Sequence, residues 1–364
     1  MKKLIALVAA MVMITGYAYA ADWDFYGSAR VTTFIYDIDR PGAADVDTKN
    51  LTHGLAQNAR FGARVKVSDE LSARVEFGSG QSADNDAVRT RLIYGTWNFG
   101  GGSLTIGQAY APFNMFYSNQ VAGGFGSFKS PDTNNASDMG LLPYGGVYTG
   151  RQPLVQLQFG GFKIAIVEPK VAADASLPIG VYTESVLPKL EASYGLKLDV
   201  VSLSVAGSYN TFDLEAPGMS VSYDSYAIAF GAKANFGAFS LGGNYYFGQN
   251  VDGIGMWVGT VTGGDINATN TGTLDNDTQG YIIVAGFKMN DMIGFEAGYG
   301  SVESELDQAV SKDDASSYYL NATIAFAPGV FIVPEIGIVD QGDDHAGVEQ
   351  NEILYYGLKW QINF

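Results

Sequence analysis

The last residues of the chain, 353–364, read I-L-Y-Y-G-L-K-W-Q-I-N-F. One set of alternate positions is apolar and consists of Leu354, Tyr356, Leu358, Trp360, Ile362 and Phe364. The other set is mixed and consists of Ile353, Tyr355, Gly357, Lys359, Gln361 and Asn363. Successive side chains of a β-strand point to opposite faces, so this period of two predicts a strand with one apolar face and one face that tolerates water.

Residues 57–67 show a sharper contrast between the two faces of a strand. The apolar positions are Ala59, Phe61, Ala63, Val65 and Val67, and the polar ones are Asn58, Arg60, Gly62, Arg64 and Lys66. A strand between lipid and water has this pattern, because charged side chains are costly in hydrocarbon. A soluble β-sandwich would bury the same apolar face in a core, so alternation alone leaves both folds open.

The lengths of the connections favour the membrane fold. We predict strands at 22–37, 57–67, 70–79, 87–99, 103–110, 150–159, 162–170, 188–198, 201–212, 223–234, 238–249, 278–288, 292–302, 316–326, 330–339 and 352–364. Every even-to-odd connection is a short turn, often with Gly, Asn or Asp, as at 100–102 and 160–161. The other connections are long polar loops, except at 80–86, and they lie at 38–56, 111–149, 171–187, 213–222, 250–277, 303–315 and 340–351. Short turns at one end and long loops at the other are typical of outer-membrane barrels.

The sequence therefore predicts an all-β fold, a 16-stranded antiparallel transmembrane β-barrel with short periplasmic turns and long external loops. An even number of strands closes without leaving an unpaired edge in lipid. A barrel of this size encloses a water-filled lumen instead of a packed interior. We place the barrel in one domain, residues 21–364.

The first twenty residues predict export. Lys2 and Lys3 precede an apolar stretch, and Ala18-Tyr19-Ala20 matches an A-x-A cleavage site. The stretch is too short to cross a bilayer as a helix, which takes about 20 residues. We interpret 1–20 as a signal peptide and Ala21 as the first residue of the mature chain.

Composition and charge exclude several classes of function. The chain has no cysteine and a formal net charge of −17, which becomes more negative once Lys2 and Lys3 are removed. Nucleic acid is thus not expected as a partner. The two histidines, His53 and His345, lie in polar stretches away from any G-x-S-x-G motif, so no enzyme site is predicted. We expect no cofactor and no metal site, because acidic pairs such as Asp313-Asp314 and Asp343-Asp344 lack calcium-loop spacing.

Four short motifs resemble the Gram-negative general diffusion porin family. Residues 24–30 (DFYGSAR) resemble its first strand, and 99–108 (FGGGSLTIGQ) resemble the fifth strand that leads into loop three. Gly150-Arg151 followed by Leu154-Val155-Gln156 resembles the strand that leaves this loop, and the terminal Phe364 matches the family's assembly signal. The family often has an inward arginine next to the glycine of strand five, where this chain has Gln108 directly after Gly107.

The resemblance implies an outer-membrane homotrimer that lets ions and small hydrophilic solutes diffuse passively. It also implies contact with outer-membrane lipid and with the assembly machinery. Loop three, about 111–149, would fold inward and present carboxylates, for which Asp132 and Asp138 are the candidates. The loop is apolar for a segment in water, which favours packing against the barrel wall, and its large side chains include Phe113, Met115, Phe116, Phe125 and Phe128.

Strand parity places six arginines on the water-facing side of the first four strands. They are Arg30, Arg60, Arg64, Arg74, Arg89 and Arg91. Guanidinium groups stay charged, so such a row predicts a basic wall at the pore constriction. An alternative is that they merely line a wet surface. Acidic loops would attract cations to the mouth, but a constriction acts at close range, so we expect weak anion preference.

Two other functions remain open from the sequence. The arginine row is compatible with a substrate-selective channel of the same fold that prefers oxyanions. An outer-membrane adhesin or structural barrel would use the external loops. Conductance measurements distinguish these hypotheses, because a channel conducts ions and an adhesin or structural barrel need not.

Overall fold

The computed structural model describes residues 21–41, 48–79, 88–124, 138–171, 181–259, 261, 265–269 and 272–364. The predicted signal peptide, Asp132, Phe125 and Phe128 lie outside these residues. Side chains are described over the same ranges except at Met219 and from 265 to 273.

The described part of the chain is built almost entirely from antiparallel strands. They are β1 (Asp22–Asp39), β2 (Thr48–Leu55), β3 (Arg60–Lys66), β4 (Leu71–Ser79), β5 (Val88–Asn98), β6 (Ser103–Tyr110), β7 (Arg151–Phe159), β8 (Phe162–Val167), β9 (Tyr182–Glu184), β10 (Lys189–Lys197), β11 (Val201–Ala216), β12 (Met219–Phe236), β13 (Phe239–Gln249), β14 (Asp265–Thr269), β15 (Gly272–Leu274), β16 (Asn276–Lys288), β17 (Ile293–Leu306), β18 (Asp313–Ala327), β19 (Val330–Asp340) and β20 (Glu352–Asn363). A 3₁₀ helix spans Val251–Ile254. Among the described residues, no helix is long and apolar enough to cross a membrane.

The strands close into one barrel. The last strand, β20, pairs with the first, β1, from Ser28↔Asn363 to Asp39↔Glu352. The sheet contains eighteen of the described segments, but β2 and β3 pair with successive parts of β1, and β9 and β10 pair with successive parts of β11. Each of these two pairs of segments forms one wall strand, so the predicted 16-stranded antiparallel barrel is confirmed.

The alternation predicted for the last strand separates two environments in the structure. Ile353 and Tyr355 are fully buried, whereas Trp360 and Ile362 on the other face are about half exposed. The same division recurs around the barrel, where outward Leu, Ile, Val, Phe and Tyr side chains are exposed. This exposed apolar band is the surface that lipid covers in a transmembrane barrel.

Aromatic rings gather near the short turns. Trp97 contacts Phe99, with ring centroids 5.5 Å apart, and Phe99 contacts Phe159 at 6.0 Å. Trp23 stacks on Phe25 at 5.8 Å. Rings with one apolar side and one wet side suit the interface between hydrocarbon and water, where outer-membrane barrels have a girdle of aromatic residues.

Several predicted loops are shorter in the structure. The prediction of a loop over 213–222 is wrong, because β11 and β12 stay paired up to Ala216↔Met219 and turn through Pro217 and Gly218, whose φ is 82°. Residues 48–55 of the predicted loop 38–56 form β2, paired with the upper half of β1. Strand β9 lies within the predicted loop 171–187, and β17 and β18 extend into the predicted loop 303–315. Polar residues indicate loops here, but a strand that continues above the membrane is also polar, because both of its faces are in water.

The main buried cluster lies inside the barrel. It joins loop-three residues such as Phe113, Val121, Leu141 and Tyr144 to wall residues that include Tyr246, Ile282, Val302, Tyr319 and Tyr355. The apolar character of loop three is therefore satisfied by packing within the barrel and not by lipid.

Candidate functional site

Loop three follows the inner wall for most of the barrel's circumference. It leaves β6 at Tyr110 and rejoins the wall at Arg151, but it contacts strands on the opposite side. Its successive partners lie on β10, β11, β17, β18, β19, β20 and β1. These partners are on the face opposite the exposed apolar side chains, so loop three lines the lumen.

Three wall carboxylates hold the backbone of loop three, and two of them, Glu191 and Glu335, are buried. Glu191 accepts a hydrogen bond from the Phe113 N–H at 2.8 Å and from the Thr149 hydroxyl at 3.1 Å. Its charge is balanced by Lys189, whose Nζ lies 3.2 Å away with both side chains fully buried. A carboxylate accepts strong hydrogen bonds from backbone N–H groups, which a loop without secondary structure otherwise leaves unpaired.

The other two anchors are Glu296 on β17 and Glu335 on β19. Glu296 accepts from the Asn119 N–H at 2.6 Å and from Asn119 Nδ2 at 2.7 Å, and it also accepts from the Tyr319 hydroxyl. Glu335 accepts from the N–H groups of Val121 and Ala122, both at 2.8 Å. Asn321 adds a third donor to Glu335 at 2.9 Å. These anchors fix residues 119–122 of loop three against the wall.

Close backbone contact fixes the return path of the loop. Asn244 Nδ2 donates to the Gly145 carbonyl at 2.7 Å. Gly145 has φ of 88°, and a Cβ atom there would collide with the carbonyl oxygens of Tyr281 and Ser301. Only glycine combines this conformation with this approach.

Asp138, one of the two predicted loop-three acids, contacts the wall directly. Its carboxylate accepts from Arg30 at 2.5 Å and also pairs with Lys359. Burial alone would raise the pKa of Asp138, but Lys359 and Arg30 outweigh burial and hold the pKa below its ordinary value. Asp138 therefore neutralises part of the wall instead of facing it across water.

Three of the predicted arginines, one each on β3, β4 and β5, converge on one carboxylate, Glu76. Glu76 accepts from Arg91 Nε at 2.6 Å and from Arg74 at 3.1 Å, and Arg60 lies 3.6 Å away. The Tyr26 hydroxyl donates to the same carboxylate at 2.8 Å. We call Tyr26, Arg60, Arg74, Glu76 and Arg91 the Glu76 cluster. It has three cations for one anion, so it keeps a positive charge.

The remaining predicted arginines lie at the margins of this cluster. Arg64 pairs with Asp24 at 2.9 Å with both side chains more than half exposed, and its guanidinium lies over the Tyr26 ring, 4.6 Å from the centroid. Arg89 donates to the Gln57 carbonyl at 3.1 Å. The structure thus brings four of the six predicted arginines, with Asp138, into two charged groups. It leaves Arg64 and Arg89 outside both groups.

Sequence reasoning missed the anchoring residues. Strand parity could have found Glu76, because it shares a face with Arg74, and Lys359 stands on the mixed face of the last strand. Glu191, Glu296 and Glu335 also stand on inward positions, but no local pattern links them to loop three. Among the described residues, no group of three or more acids or histidines is arranged to hold a metal ion.

The comparisons with known proteins agree with this architecture. The profile of the family described as Gram-negative porin matches residues 6–343. No curated protein sequence matches the chain.

Solved structures of several outer-membrane channels share the fold. The channel DcaP of Acinetobacter baumannii superposes with a TM-score of 0.67 at 15% identity, over 94% of this chain and 97% of that one. OmpF of Salmonella typhi, in complex with daunomycin, gives 0.59 at 14% identity, over 95% and 99% of the two chains. The anion-selective porin of Comamonas acidovorans gives 0.58 at 15% identity, over 94% and 100%.

The family match extends over most of the chain, and the closed barrel with a lined lumen is the structure that such a channel requires. The chain belongs to the Gram-negative porin family and is an outer-membrane channel through which small solutes diffuse passively.

Proposed function

We propose that the Glu76 cluster and loop three form the constriction of the pore and give it a weak preference for anions. The observation that supports this proposal is that cations outnumber anions in both charged groups of the lumen. Three guanidinium groups share one carboxylate in the Glu76 cluster. Asp138 is likewise outnumbered by Arg30 and Lys359.

The acids of the opposite wall contribute less to the field in the pore. Glu191, Glu335 and the loop segment above them are buried, and their carboxylates accept hydrogen bonds from loop three. Lys189 also balances Glu191. Arg60 and Arg74 keep 22% and 29% of their side chains exposed, whereas Glu191 and Glu335 are almost fully buried. A partly exposed charge within a few ångströms of a passing ion acts with little screening, which favours anions at the narrow part.

Reversal potentials in planar bilayers under a salt gradient test this proposal. We expect stable, stepwise conductance and an anion-favouring potential that decreases in Arg60→Ala and Arg74→Ala. Lys288→Ala is the matched control, because this lysine pairs with Asp291 at a short turn away from the cluster. A cation-favouring potential, or equal changes in all three variants, would contradict a basic constriction.

A substrate-selective channel for oxyanions remains the second candidate, and the excess of arginine in the Glu76 cluster favours it. Conductance that saturates with rising phosphate or sulfate would support such a channel. Conductance that rises in proportion to these salts would support general diffusion. The activity that we propose is limited to the passage of ions and small solutes through the lumen.

We also propose that the chain assembles as a homotrimer through the outer-membrane assembly machinery, with Phe364 as part of the signal. OmpT of Vibrio cholerae, which is solved in a trimer form, has the same fold at 16% identity with a TM-score of 0.58. Phe364 pairs with Gly27 through N–H to carbonyl bonds of 2.7 and 3.1 Å, and its ring is 70% exposed. Native mass spectrometry of wild-type protein tests the trimer, and the outer-membrane yield of Phe364→Ala tests the signal.

A further inference from the structure

A cavity lies between the start of loop three and the inner wall, and none of its lining residues belongs to the Glu76 cluster. Its volume is about 490 Å³, and Tyr110, Phe116 and Tyr117 line it on the loop side. On the wall side it is lined by Lys163 of β8 and Lys233 of β12, with Ser193, Ser202 and Ser204 between them. This volume is within the range of pockets that hold small molecules, about 300–1,000 Å³.

An exposed phenyl ring marks one side of this cavity. Phe116 is 53% exposed although it belongs to a loop whose other large apolar side chains are mostly buried. Tyr110 and Tyr148 hold it edge-on, with ring centroids 5.4 and 5.9 Å from that of Phe116. A fixed ring with an open surface can be covered by a second ring at little conformational cost.

The charges at the cavity differ from those of the Glu76 cluster. Lys163 and Lys233 form no ion pair with any residue that the structure describes, and the described lining contains no Asp or Glu. By contrast, the guanidinium groups of Arg60, Arg74 and Arg91 are paired with the Glu76 carboxylate. The two ammonium groups therefore remain available to an anion, and the Ser193 and Ser202 hydroxyls can donate hydrogen bonds to the same anion. The Ser204 hydroxyl already contacts Tyr117 and Met115.

We propose that this cavity is a binding site for small aromatic carboxylates on their way through the pore. The ring of the solute packs against Phe116 and Tyr110, and its carboxylate lies towards Lys163 and Lys233. Neither an aliphatic carboxylate nor a neutral aromatic solute would use both halves of the site. This inference deepens the proposed function, because it requires that anions enter the lumen.

Ion-current block in planar bilayers tests the site, with benzoate as the probe. Cyclohexanecarboxylate has the same charge and similar bulk without an aromatic ring, and acetate has the charge alone. We expect benzoate to block the current in a saturable way and to bind about 2 to 12 times more tightly than cyclohexanecarboxylate, the range typical of an aromatic pair. Acetate should give no saturable block.

Two substitutions locate the site on the chain. Phe116→Leu should lower benzoate affinity to that of cyclohexanecarboxylate. The double variant Lys163→Gln, Lys233→Gln should weaken the binding of both benzoate and cyclohexanecarboxylate. Phe25→Leu is the control, since Phe25 is 61% exposed on the outer surface. Equal affinity for the three acids, or a Phe116→Leu variant that binds benzoate as wild type does, would overturn the proposal.

Equilibrium dialysis of radiolabelled benzoate against folded protein in detergent gives a second reading that needs no current. Normal potassium chloride conductance without benzoate binding would remove the aromatic site and leave the pore intact. Benzoate binding that Phe116→Leu weakens to the level of cyclohexanecarboxylate, in a protein without conductance, would support the site and contradict the proposed channel mechanism.

Discussion

The two halves of the inner wall use carboxylates in opposite ways. Beneath loop three, Glu191, Glu296 and Glu335 accept from backbone N–H groups or side chains of the loop. On the other half, Glu76 gathers three arginines and contacts no described part of loop three. An acid in a pore therefore serves either as a mechanical anchor or as a counter-charge. The side of the wall that loop three covers decides which of these it is.

Removing an anchor should have the largest effect. Glu335→Ala leaves the N–H groups of Val121 and Ala122 without a partner in a buried place, which costs about 1–3 kcal/mol for each unsatisfied group. We expect a lower thermal midpoint and larger, noisier conductance as loop three moves off the wall. Glu305→Ala, at an exposed pair with Lys312, serves as the control. A stable variant with unchanged conductance would show that the loop does not depend on this anchor.

Removing the counter-charge should change selectivity more than stability of the loop. Glu76→Gln keeps the shape of the side chain but leaves Arg60, Arg74 and Arg91 without an anion. One elementary charge about 4 Å from a passing ion contributes about 1 kcal/mol in water, so the local concentration of anions should rise about fivefold and that of cations should fall by about the same factor. The reversal potential measures this change. An unchanged potential would mean that ions do not pass close to the cluster.

Acid should release the loop at Asp138 only at low pH. Because Lys359 and Arg30 hold its pKa below the ordinary value, the ion pair contributes stability above the unfolded pKa of about 3.9 and loses it as pH falls through the lower folded pKa. Conductance should therefore stay constant from about pH 7 to about pH 5 and change only at stronger acid. Asp138→Asn should already show the changed conductance at neutral pH. A transition near pH 6 that Asp138→Asn abolishes would contradict the assigned direction.

The smallest effect is expected at the outer loops. Lys312 pairs with Glu303 at 2.6 Å and with Glu305 at 3.4 Å, and these side chains are largely exposed. Exposed pairs contribute little, so Lys312→Ala should leave the thermal midpoint and the single-channel conductance unchanged within error. A large change in selectivity would show that the mouth, and not the inner wall, sets the preference for anions.

Much of the wall was predictable because alternate residues of each strand face two different environments, lipid and water. The alternation in 353–364 predicts which face meets lipid, and most of β20 has that alternation in the structure. In β3 the burial does not follow the predicted alternation, because Phe61 is exposed but Ala63 and Val65 are buried. Turn residues such as Gly100 and Gly160, with φ of 87° and 55°, predict the short connections. The hairpin at 217–218 was missed, because wet strands and loops have the same polar composition.

The candidate site was only partly predictable. Parity brings Arg60, Arg74 and Arg91 to the inner face, but the bulge between β4 and β5 decides that Arg91 reaches Glu76. The partners of Asp138 lie 108 and 221 positions away in the sequence, so no local pattern could predict them. The proposed role of the arginines in the constriction still rests on the measurements above.

The period-two pattern and the turns are enough to predict the sixteen-strand wall and the face that most side chains present. The position of loop three and the charges that it neutralises follow only from the folded barrel. The path of a loop without regular structure depends on distant partners such as Glu296, Glu335 and Lys359, and these become neighbours only when the barrel closes.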